Sequence, residues 1–433
     1  MPTVTVDQQR LILNSFAAIF QNNLVSKDLV TWRKFDGEMN DRNGLTVVEQ
    51  VTPDYATTFT TSAVNDLSGG TQDTLFGSEQ YKLTQVIGSS MGWGDFVKIR
   101  DIGAARESEA LRKAALRLAT DIDAYIMGFV AKASNNWVGN ANGTNTVSTW
   151  NDLASAVTRL KLEGVEDDFR AVLAYEDWQA LGNTIVSNNA SLTDMGEGVY
   201  RSGFTGNIAG IPTMFTQQLQ PLTVGTRVAS ATTLTNQPST PAVSYASVMI
   251  SGAPGQYLTS TINLDGQTGA VTLVDGEVFT IAGIYAWDAR AKKRLPHLQQ
   301  FRVVGNYTAS SGAFSNVRIF PAIIESGVYQ TISNSNAANT YDNLAVTHIG
   351  AASTATTPRF LANKGAIIIN TADLITPATG MSQRKSLTKV PVSVRMWQDS
   401  VFATGEHRVR FDVALEANVA ADGRRRIIRL NGA

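Results

Sequence analysis

The longest regular pattern along the chain is an apolar stripe between residues 104 and 134. Apolar residues recur there at intervals of three and four, which places them on one face of an α-helix; they are Leu111, Ala115, Leu118, Ile122, Tyr125, Ile126 and Phe129. Opposite charges four residues apart support a helix on its polar faces, and such pairs are Glu109–Lys113 and Arg117–Asp121. The spacing predicts one helix about 45 Å long, at 1.5 Å per residue.

A shorter amphipathic helix is predicted near the N-terminus, within residues 5–32. Thr5 and Gln8 have the spacing of a capping box, and the apolar positions that follow recur at helical intervals to an end near Asn22–Asn23. Such a helix is either the first helix of a domain or an arm that packs on a neighbouring chain. The sequence favours neither alternative.

The remaining apolar patterns predict two more helices and many strands. The helices are 149–163 and 175–187, and the strands are 45–51, 57–61, 81–87, 171–174, 271–281, 301–304, 317–320, 366–370, 392–397, 408–415 and 424–430. Asp275-Gly276 between β-prone flanks predicts a hairpin. The last segment, Arg424-Arg-Arg-Ile-Ile-Arg-Leu430, predicts a basic edge strand that closes a C-terminal sheet.

The order of these elements predicts an α+β fold of several domains. Residues 223–348 are rich in Thr, Ser, Val and Gly and in short alternating strands, so they are interpreted as an all-β module inserted into a mixed domain. The compositional break at both of its ends suggests the hypothesis that this module folds semi-autonomously. A long polar loop is predicted between strands 57–61 and 81–87, with its tip near Gly69–Gly70.

Charge is balanced overall but uneven along the chain. The net charge is −1, so no global field argues for nucleic-acid or membrane binding. Residues 36–79 hold eight acids against one base, a sum of −7, whereas residues 384–433 hold ten bases against five acids, a sum of +5. The two segments are therefore candidates for mutual attraction.

No motif with strong catalytic specificity is found. Gly88-Ser89-Ser90-Met91-Gly92 matches the G-x-S-x-G nucleophile elbow, but an extended segment follows where the elbow needs a helix, so a glycine-rich turn is favoured. His297, His348 and His407 stand far apart without a metal-binding motif. The basic run Arg290–Arg294 favours a solvated turn over a nucleic-acid patch.

The composition also bounds the setting of the protein. The absence of cysteine excludes disulfides, thiolate metal sites and cysteine nucleophiles, and is compatible with folding in a reducing cytoplasm. The first residues lack the pattern of a signal peptide, and no apolar run approaches the roughly 20 residues that span a bilayer. We therefore expect no cofactor, no metal, no membrane partner and no enzymatic activity.

The order of elements resembles the major capsid protein of tailed bacteriophages, with an HK97-like fold, and more narrowly the P22-type coat proteins with an inserted β-barrel. Val47–Pro53, Ala104–Ser134, Gly276–Gly283 and Phe301–Val304 carry the resemblance. It implies a long spine helix, a peripheral antiparallel sheet, an extended E-loop and an axial α/β domain. The implied segments are an N-terminal arm (1–38), the E-loop with peripheral strands (39–103), the spine helix (104–134), the axial domain (135–222 and 349–391), the inserted barrel (223–348) and the peripheral sheet (392–433).

The resemblance also implies a function. The chain would self-assemble into hexamers and pentamers of an icosahedral head, with a scaffolding protein and a portal protein as partners and a decoration protein as a further one. Packaged double-stranded DNA would be contacted weakly and non-specifically, and the shell would be assembled in the host cytoplasm and become part of the virion. The alternatives are another virion structural protein (tail tube, sheath or decoration protein) and a hydrolase that uses Ser90.

The uneven charge leads to a hypothesis about subunit contacts, because the E-loop of this fold reaches over a neighbouring subunit's peripheral sheet. We expect acidic residues of one chain to approach basic residues of the next; they are Asp54, Asp66 and Asp73 on the loop, and Arg395, Arg408 and Arg410 on the sheet. Exposed pairs of this kind contribute about 0.2–1 kcal/mol each and weaken with salt.

Overall fold

The computed structural model describes most of the chain in two compact units. The described residues are 6–39, 46–51, 77–83, 85–93, 109–142, 146–188, 207–208, 211–228, 233–236, 241–248, 256–327, 329–336, 341–375, 381–400, 407–420 and 426–432. The first unit comprises Met1–Val47, Tyr81–Phe129 and Lys364–Ala420, and the second comprises Val48–Gln80, Val130–Asn363 and Ala421–Ala433. Elements are numbered below in chain order.

The four long helices lie where the apolar spacing predicts them, and two short helical turns were not predicted. They are α1 (Val6–Asn23), α2 (Glu109–Ala133), α3 (Trp150–Leu162), α4 (Tyr175–Asn188) and a single turn, α5 (Tyr245–Val248), with a 3-10 turn at Val25–Asp28. The prediction of a long helix within 104–134 is confirmed, although the described helix has 25 residues and is about 37 Å long. Arg117 Nε lies 2.9 Å from Asp121 Oδ2, as its spacing predicts.

The first unit is built on a six-stranded sheet. Its strands are β1 (Thr31–Met39), β4 (Val86–Trp93), β21 (Ile367–Leu374), β22 (Met381–Ser386), β23 (Ser393–Ser400) and β24 (His407–Val419). The order is β1-β21-β24-β23-β22, and β4 pairs with the His407–Ala414 part of β24. β1 runs parallel to β21, and the other pairs are antiparallel.

Helices α1 and α2 are attached to elements of this first unit in different ways. Phe16 of α1 is fully buried and its ring stacks on Phe411 of β24, with 3.8 Å between ring centroids. The helix therefore packs on its own chain, as the first helix of a domain does. On α2, the buried carboxylate of Asp123 accepts the backbone N–H groups of Val25 and Ser26 at 2.9 and 3.0 Å. Burial raises the pKa of Asp123, and these hydrogen bonds oppose the rise.

The second unit contains a six-stranded sheet covered by α3 and α4. Its order is β5 (Asn136–Val138), β25 (Ile427–Leu430), β20 (Arg359–Asn363), β6 (Phe169–Leu173), β8 (Ile211–Phe215) and β7 (Asn207–Ile208). Leu153 and Leu160 of α3 and Leu181 of α4 are buried in one core with residues of these strands. Thr149 begins α3 with a full capping box to Asp152, which fixes the start of the helix.

A closed six-stranded barrel forms the rest of the second unit. Its antiparallel strands are β10 (Thr233–Thr235), β11 (Ser260–Asp265), β13 (Val278–Asp288), β14 (Lys293–Val303), β16 (Phe314–Phe320) and β18 (Ala345–Ile349), with β17 (Ile332–Asn334) added beside β13. Three small ribbons complete the strands: β2 (Thr46–Val51) with β3 (Gly77–Lys82), β9 (Leu222–Thr223) with β19 (Ala355–Thr356), and β12 (Thr272–Leu273) with β15 (Tyr307–Thr308). The α+β class with an all-β insertion is confirmed.

Three local predictions are wrong because the partners of a strand depend on parts of the chain that are distant in sequence. Segment 81–87 is not one strand, since β3 ends at Lys82 and β4 begins at Val86. Asp275-Gly276 forms a turn, but its flanks pair with β15 and β14 rather than with each other. The segment ending at Leu430 is not an edge strand of the C-terminal sheet: β25 lies between β5 and β20 in the second unit. Predicted strand 57–61 lies outside the described residues.

The barrel is joined to the six-stranded sheet by buried polar groups. Arg429 of β25 is fully buried, and its guanidinium donates to the carbonyl oxygens of Ala131 and Ser134 at the end of α2 and of Gly276 in the barrel, at 2.8, 2.6 and 2.8 Å. Burial lowers the pKa of Arg429 to about 9, and the charge of Arg302 acts in the same direction. The group is therefore still cationic at neutral pH, where carbonyl dipoles at a helix C-terminus stabilise it.

Two further residues belong to the same junction. Gly276 has φ +92° and lies so close to the last turn of α2 that a Cβ there would be 2.9 Å from Lys132 Cα. Both the backbone conformation and the lack of space for a side chain therefore require glycine. Gln300 of β14 uses its amide oxygen and nitrogen to bond the backbone N–H and carbonyl of Trp137, at 2.6 and 3.0 Å. Trp137 lies on the edge strand β5, so this amide satisfies backbone groups of the sheet edge.

Replacing Arg429 by methionine tests this junction. The change keeps an unbranched side chain but leaves three buried carbonyl oxygens without this donor, each at a cost of about 1–3 kcal/mol. We expect the free energy of unfolding, measured in urea, to fall by about 3 kcal/mol or more. The matched control is Arg290→Met, which removes an exposed ion pair to Glu166 and should cost at most about 1 kcal/mol. Equal effects of the two variants would refute the role given to Arg429.

Candidate assembly surface

One face of the sheet in the first unit carries a group of basic side chains. Side chains of directly paired residues lie on the same face of an antiparallel sheet, and residues two apart on one strand share that face. Arg384 pairs with Arg395, Arg395 pairs with Asp412, and Arg408 and Arg410 precede Asp412 at intervals of two. The side chain of Lys34 in β1 reaches the same face, where its Nζ lies 3.3 and 3.2 Å from the Oγ atoms of Ser386 and Ser393. We call Lys34, Arg384, Arg395, Arg408 and Arg410 the basic face.

Two carboxylates, one buried and one half-buried, hold the basic face together. Asp412 is fully buried; its Oδ2 lies 2.6 Å from Arg395 Nη2, and its Oδ1 accepts a hydrogen bond from Arg410 Nε. Asp373 lies 2.8 Å from Lys34 Nζ and 3.7 Å from Arg384 Nη2. Burial alone would raise the pKa of Asp373, but hydrogen bonds from Lys34 and Ser393 and the nearby positive charges hold it below its ordinary value.

The members of the basic face differ in how far they are exposed. Five bases share it with Asp373 and Asp412, and Asp399 occupies the register position opposite Arg408. Arg408 is exposed and half of the Arg410 side chain is accessible, whereas 13% of the Arg395 side chain is accessible. Arg410 and Arg408 are therefore the members best placed to meet another molecule, and Arg395 serves mainly its own chain.

The three predicted basic contact residues are thus brought together on one face, and their proposed acidic partners are not described. Asp54, Asp66 and Asp73, with the predicted loop tip at Gly69–Gly70, lie outside the described residues. Sequence reasoning missed Asp412 and the Lys34–Asp373 pair. The alternation Arg408-Val-Arg-Phe-Asp412 could have shown that Asp412 shares the face with the two arginines.

The G-x-S-x-G segment lies in the same sheet as the basic face. Residues 88–92 lie inside strand β4, in register with β24, so they form neither an elbow nor the predicted glycine-rich turn. Gly88 pairs with Asp412, and a Cβ at this position would overlap the Asp412 carboxylate and lie 3.3 Å from Arg410 Nε. The glycine therefore makes room for the buried carboxylate and its arginine.

The other candidate chemical groups are dispersed. His297 and His348 lie in the second unit, where burial, reinforced by a neighbouring arginine, lowers their pKa to about 4 and about 3. Within the described parts of the chain, no cluster of three or more His, Cys, Asp or Glu residues is arranged to hold a metal ion. Residues 289–292 form the turn of the β13–β14 hairpin, as the basic run predicts, and Arg290 Nη2 lies 2.9 Å from Glu166 Oε1. No helix in the described ranges is long and apolar enough to cross a membrane.

A pair of glycine substitutions tests the packing of the basic face. Gly88→Ala inserts a methyl group against Asp412 and should lower the free energy of unfolding by about 1–3 kcal/mol, as overpacking does. Gly182→Ala is the matched control, because a Cβ there meets nothing within 4 Å in the interior of α4. That change should raise the free energy of unfolding by about 0.5–1 kcal/mol. Urea unfolding of both variants measures the contrast; a neutral Gly88→Ala would contradict the assigned contact.

Comparison with known proteins identifies the family to which this chain is similar. The family model described as P22 coat protein, gene protein 5, matches residues 54–422, well over half of the chain. A comparison with curated proteins finds no match. The capsid of cyanophage P-SCSP1u is similar over 95% of this chain and 88% of its own, with 11% identity and a TM-score of 0.42. A structure of Mycobacterium phage Che8 is similar over 90% and 86%, with 9% identity and a TM-score of 0.41.

The family match covers the barrel, the segments before and after it along the chain, and most of the first unit. It includes β4, all of α2, the barrel strands, and the strands β21 to β24 that carry most of the basic face. The resemblance inferred from the sequence, to P22-type phage coat proteins, is confirmed by it. This chain belongs to the P22 coat protein family.

Proposed function

We propose that this coat protein is the major capsid protein of a phage, which assembles into hexamers and pentamers of an icosahedral head that encloses double-stranded DNA. The observation that carries the proposal is the family match over residues 54–422. The basic face, with accessible arginines on a six-stranded sheet, supports it because it offers a charged contact surface outside the hydrophobic cores. The role is structural rather than enzymatic, and Ser90 within strand β4 supports that part.

The proposal includes an HK97-like division of the chain. Helix α2 would be the spine helix, the six-stranded sheet of the first unit the peripheral domain, and the segment around residues 39–103 the E-loop with its strands. The six-stranded sheet of the second unit would be the axial domain, interrupted by the barrel. Pairing of β9 with β19, Leu222 with Thr356 and Thr223 with Ala355, supports an insertion there, because the chain enters and leaves the barrel at neighbouring strands.

The partners follow from the same proposal. A scaffolding protein and a portal protein would act during assembly in the host cytoplasm, a decoration protein would bind the finished shell, and DNA would be contacted weakly and without sequence preference. A shell built from many copies needs numerous weak contacts, because the affinity of a contact determines how readily a misplaced subunit dissociates.

The contact between the acidic loop and the basic face is proposed as one of these weak contacts. Asp54, Asp66 and Asp73 of one chain would approach Arg408 and Arg410 of the next, with Arg395 behind them. Arg408 is exposed and half of the Arg410 side chain is accessible, so these two residues would contribute more to the attraction than Arg395, of which 13% is accessible. Each pair would contribute about 0.2–1 kcal/mol, and their sum would fall with salt.

Negative-stain electron microscopy of the purified protein, with rising protein concentration, tests the shell-forming role. We expect round closed particles, because the family is a coat protein family. Tubes or rings would favour a tail tube, sheath or decoration protein instead, and a protein that remains monomeric at every concentration would contradict the proposal.

Charge reversal tests the loop contact separately. The double variant Asp66→Lys with Asp73→Lys should assemble at a several-fold higher protein concentration than wild type at low salt, with the difference shrinking as salt screens the charges. Arg408→Glu added to that double variant should restore part of the assembly. The control is Asp167→Lys, whose carboxylate is exposed in the second unit, and which should leave assembly unchanged. Unaltered yield and salt dependence of the double variant would exclude the contact.

A further inference from the structure

The interface between the barrel and the six-stranded sheet of the second unit buries two arginine side chains close together. Arg429 of β25 is fully buried, and 9% of the Arg302 side chain of β14 is accessible. Both guanidinium groups contact one turn of the barrel: Arg302 Nη2 lies 2.9 Å from Asp275 Oδ1, and Arg429 Nη1 lies 2.8 Å from the carbonyl oxygen of Gly276. We call Arg302 and Arg429 the arginine pair.

The charges at this interface do not cancel. Among the described residues, only Asp275 places a carboxylate in ion-pair contact with either guanidinium group of the arginine pair. The next residue, Glu277, is already engaged by a different arginine, Arg227, and the exposed Lys132 beside Gly276 adds a further positive charge. Two buried guanidinium groups therefore share one carboxylate, which leaves one positive charge without a counter-charge.

The arginine pair also has hydrogen-bond donors without partners. Within the described part of the chain, the Nε–H groups of Arg302 and Arg429 and the indole Nε1–H of Trp137 are buried and have no hydrogen-bond acceptor. Trp137 lies beside the pair, since the Cζ atom of Arg429 is 5.0 Å from the centroid of its ring. Arginine and tryptophan side chains can only donate, so these three groups cannot satisfy one another. Buried polar groups of folded proteins are nearly always paired, with protein, water or an ion.

The chemistry of these groups favours one kind of ligand. A water molecule donates hydrogen bonds as well as accepting them, and the three unpaired donors outnumber the unpaired acceptor of this interface, Asn135 Oδ1. A water molecule would also leave the positive charge uncompensated, which is costly in the interior of a protein. A small anion only accepts hydrogen bonds, and it supplies the counter-charge.

We propose that the arginine pair and Trp137 form a binding site for a small monovalent anion such as chloride, and that the bound anion strengthens the attachment of the barrel to the six-stranded sheet. Hydrogen bonds between a guanidinium group and an anion are charge-assisted and stronger than neutral ones. The ion reaches the interface from the side of Asp275, where 30% of that side chain is accessible. Burial, reinforced by the charge of Arg302, lowers the pKa of Arg429, as expected for a cation that needs a counter-charge.

Urea unfolding of the full-length wild-type chain at constant ionic strength tests the site. Chloride replaces gluconate, which is too large to enter a closed interface, so that screening stays the same while the small anion increases. We expect the folding equilibrium constant to rise up to tenfold for each tenfold increase in chloride above its Kd, because the ligand binds the folded state alone. A urea midpoint that does not depend on chloride would overturn the proposal.

Two arginine substitutions on the same strand separate this site from general effects of anions. Arg302→Met removes one donor and one charge of the site and should abolish the chloride dependence. The matched control is Arg294→Met, which removes an exposed arginine of β14 that lies over the Tyr285 ring and should keep the full dependence. The same chloride dependence in both variants would show that the ion acts elsewhere, and the site would be rejected.

Trp137→Phe is the second variant, for use if Arg302→Met does not fold. It keeps an aromatic ring over Arg429 and removes only the indole N–H. We expect the Kd for chloride to rise about tenfold, as the loss of one hydrogen bond to a charged group predicts. An unchanged Kd would contradict the assigned donors.

Bromide locates the ion directly, because it has the charge of chloride and scatters X-rays anomalously. In crystals of the full-length chain grown in bromide, we expect an anomalous difference peak within hydrogen-bonding distance of the Nε atoms of the arginine pair. Density for water alone at this place, without a bromide peak, would overturn the proposal. Bromide peaks confined to exposed residues would mark adventitious ions only and would overturn it as well. None of these tests depends on shell formation, so the site and the proposed function stand or fall separately.

Discussion

The packing of the barrel on the six-stranded sheet of the second unit depends on how the buried guanidinium of Arg429 finds hydrogen-bond acceptors. Burying a guanidinium without water is costly unless its N–H groups find acceptors, and Arg429 finds them in three backbone carbonyl oxygens from α2, the segment after it and the barrel turn at Gly276. Those three segments and β25 must therefore meet at one point. The position of Gly276 against Lys132, and the pairing of Gln300 with Trp137, follow from that meeting.

This junction is polar, whereas the cores on either side of it are apolar and separate. The barrel encloses its own buried cluster, which includes Phe279, Phe301 and Phe314, and the six-stranded sheet has another around Leu153 and Ile428. Each core is therefore buried by residues of the same chain. In the first unit the buried carboxylate of Asp412 plays a comparable part, since it holds Arg395 and Arg410 on one face of the sheet.

Local patterns in the sequence predicted local structure, but they did not predict which strands pair when the strands lie far apart along the chain. The three- and four-residue spacing of Leu111 to Ile126 predicted α2 because a helix is determined by neighbours along the chain. The turn at Asp275-Gly276 was predicted for the same reason, but the partners of its flanking strands are set elsewhere. The sequence places Arg429 in a basic edge strand, because its charge is visible in the sequence and its burial is not. For the candidate contacts, alternation placed Arg408 and Arg410 on one face, whereas the Lys34–Asp373 pair joins strands more than 300 residues apart.

The barrel folds around its own core, and the polar junction at Arg429 fastens it to the six-stranded sheet. Native-state hydrogen exchange of the full-length protein across increasing denaturant tests it most directly, because it resolves the opening of each strand. We expect two groups of amides, those of β13, β14 and β16 and those of β20 and β25, to open with different free energies and different denaturant slopes. A single common opening for both groups would contradict it.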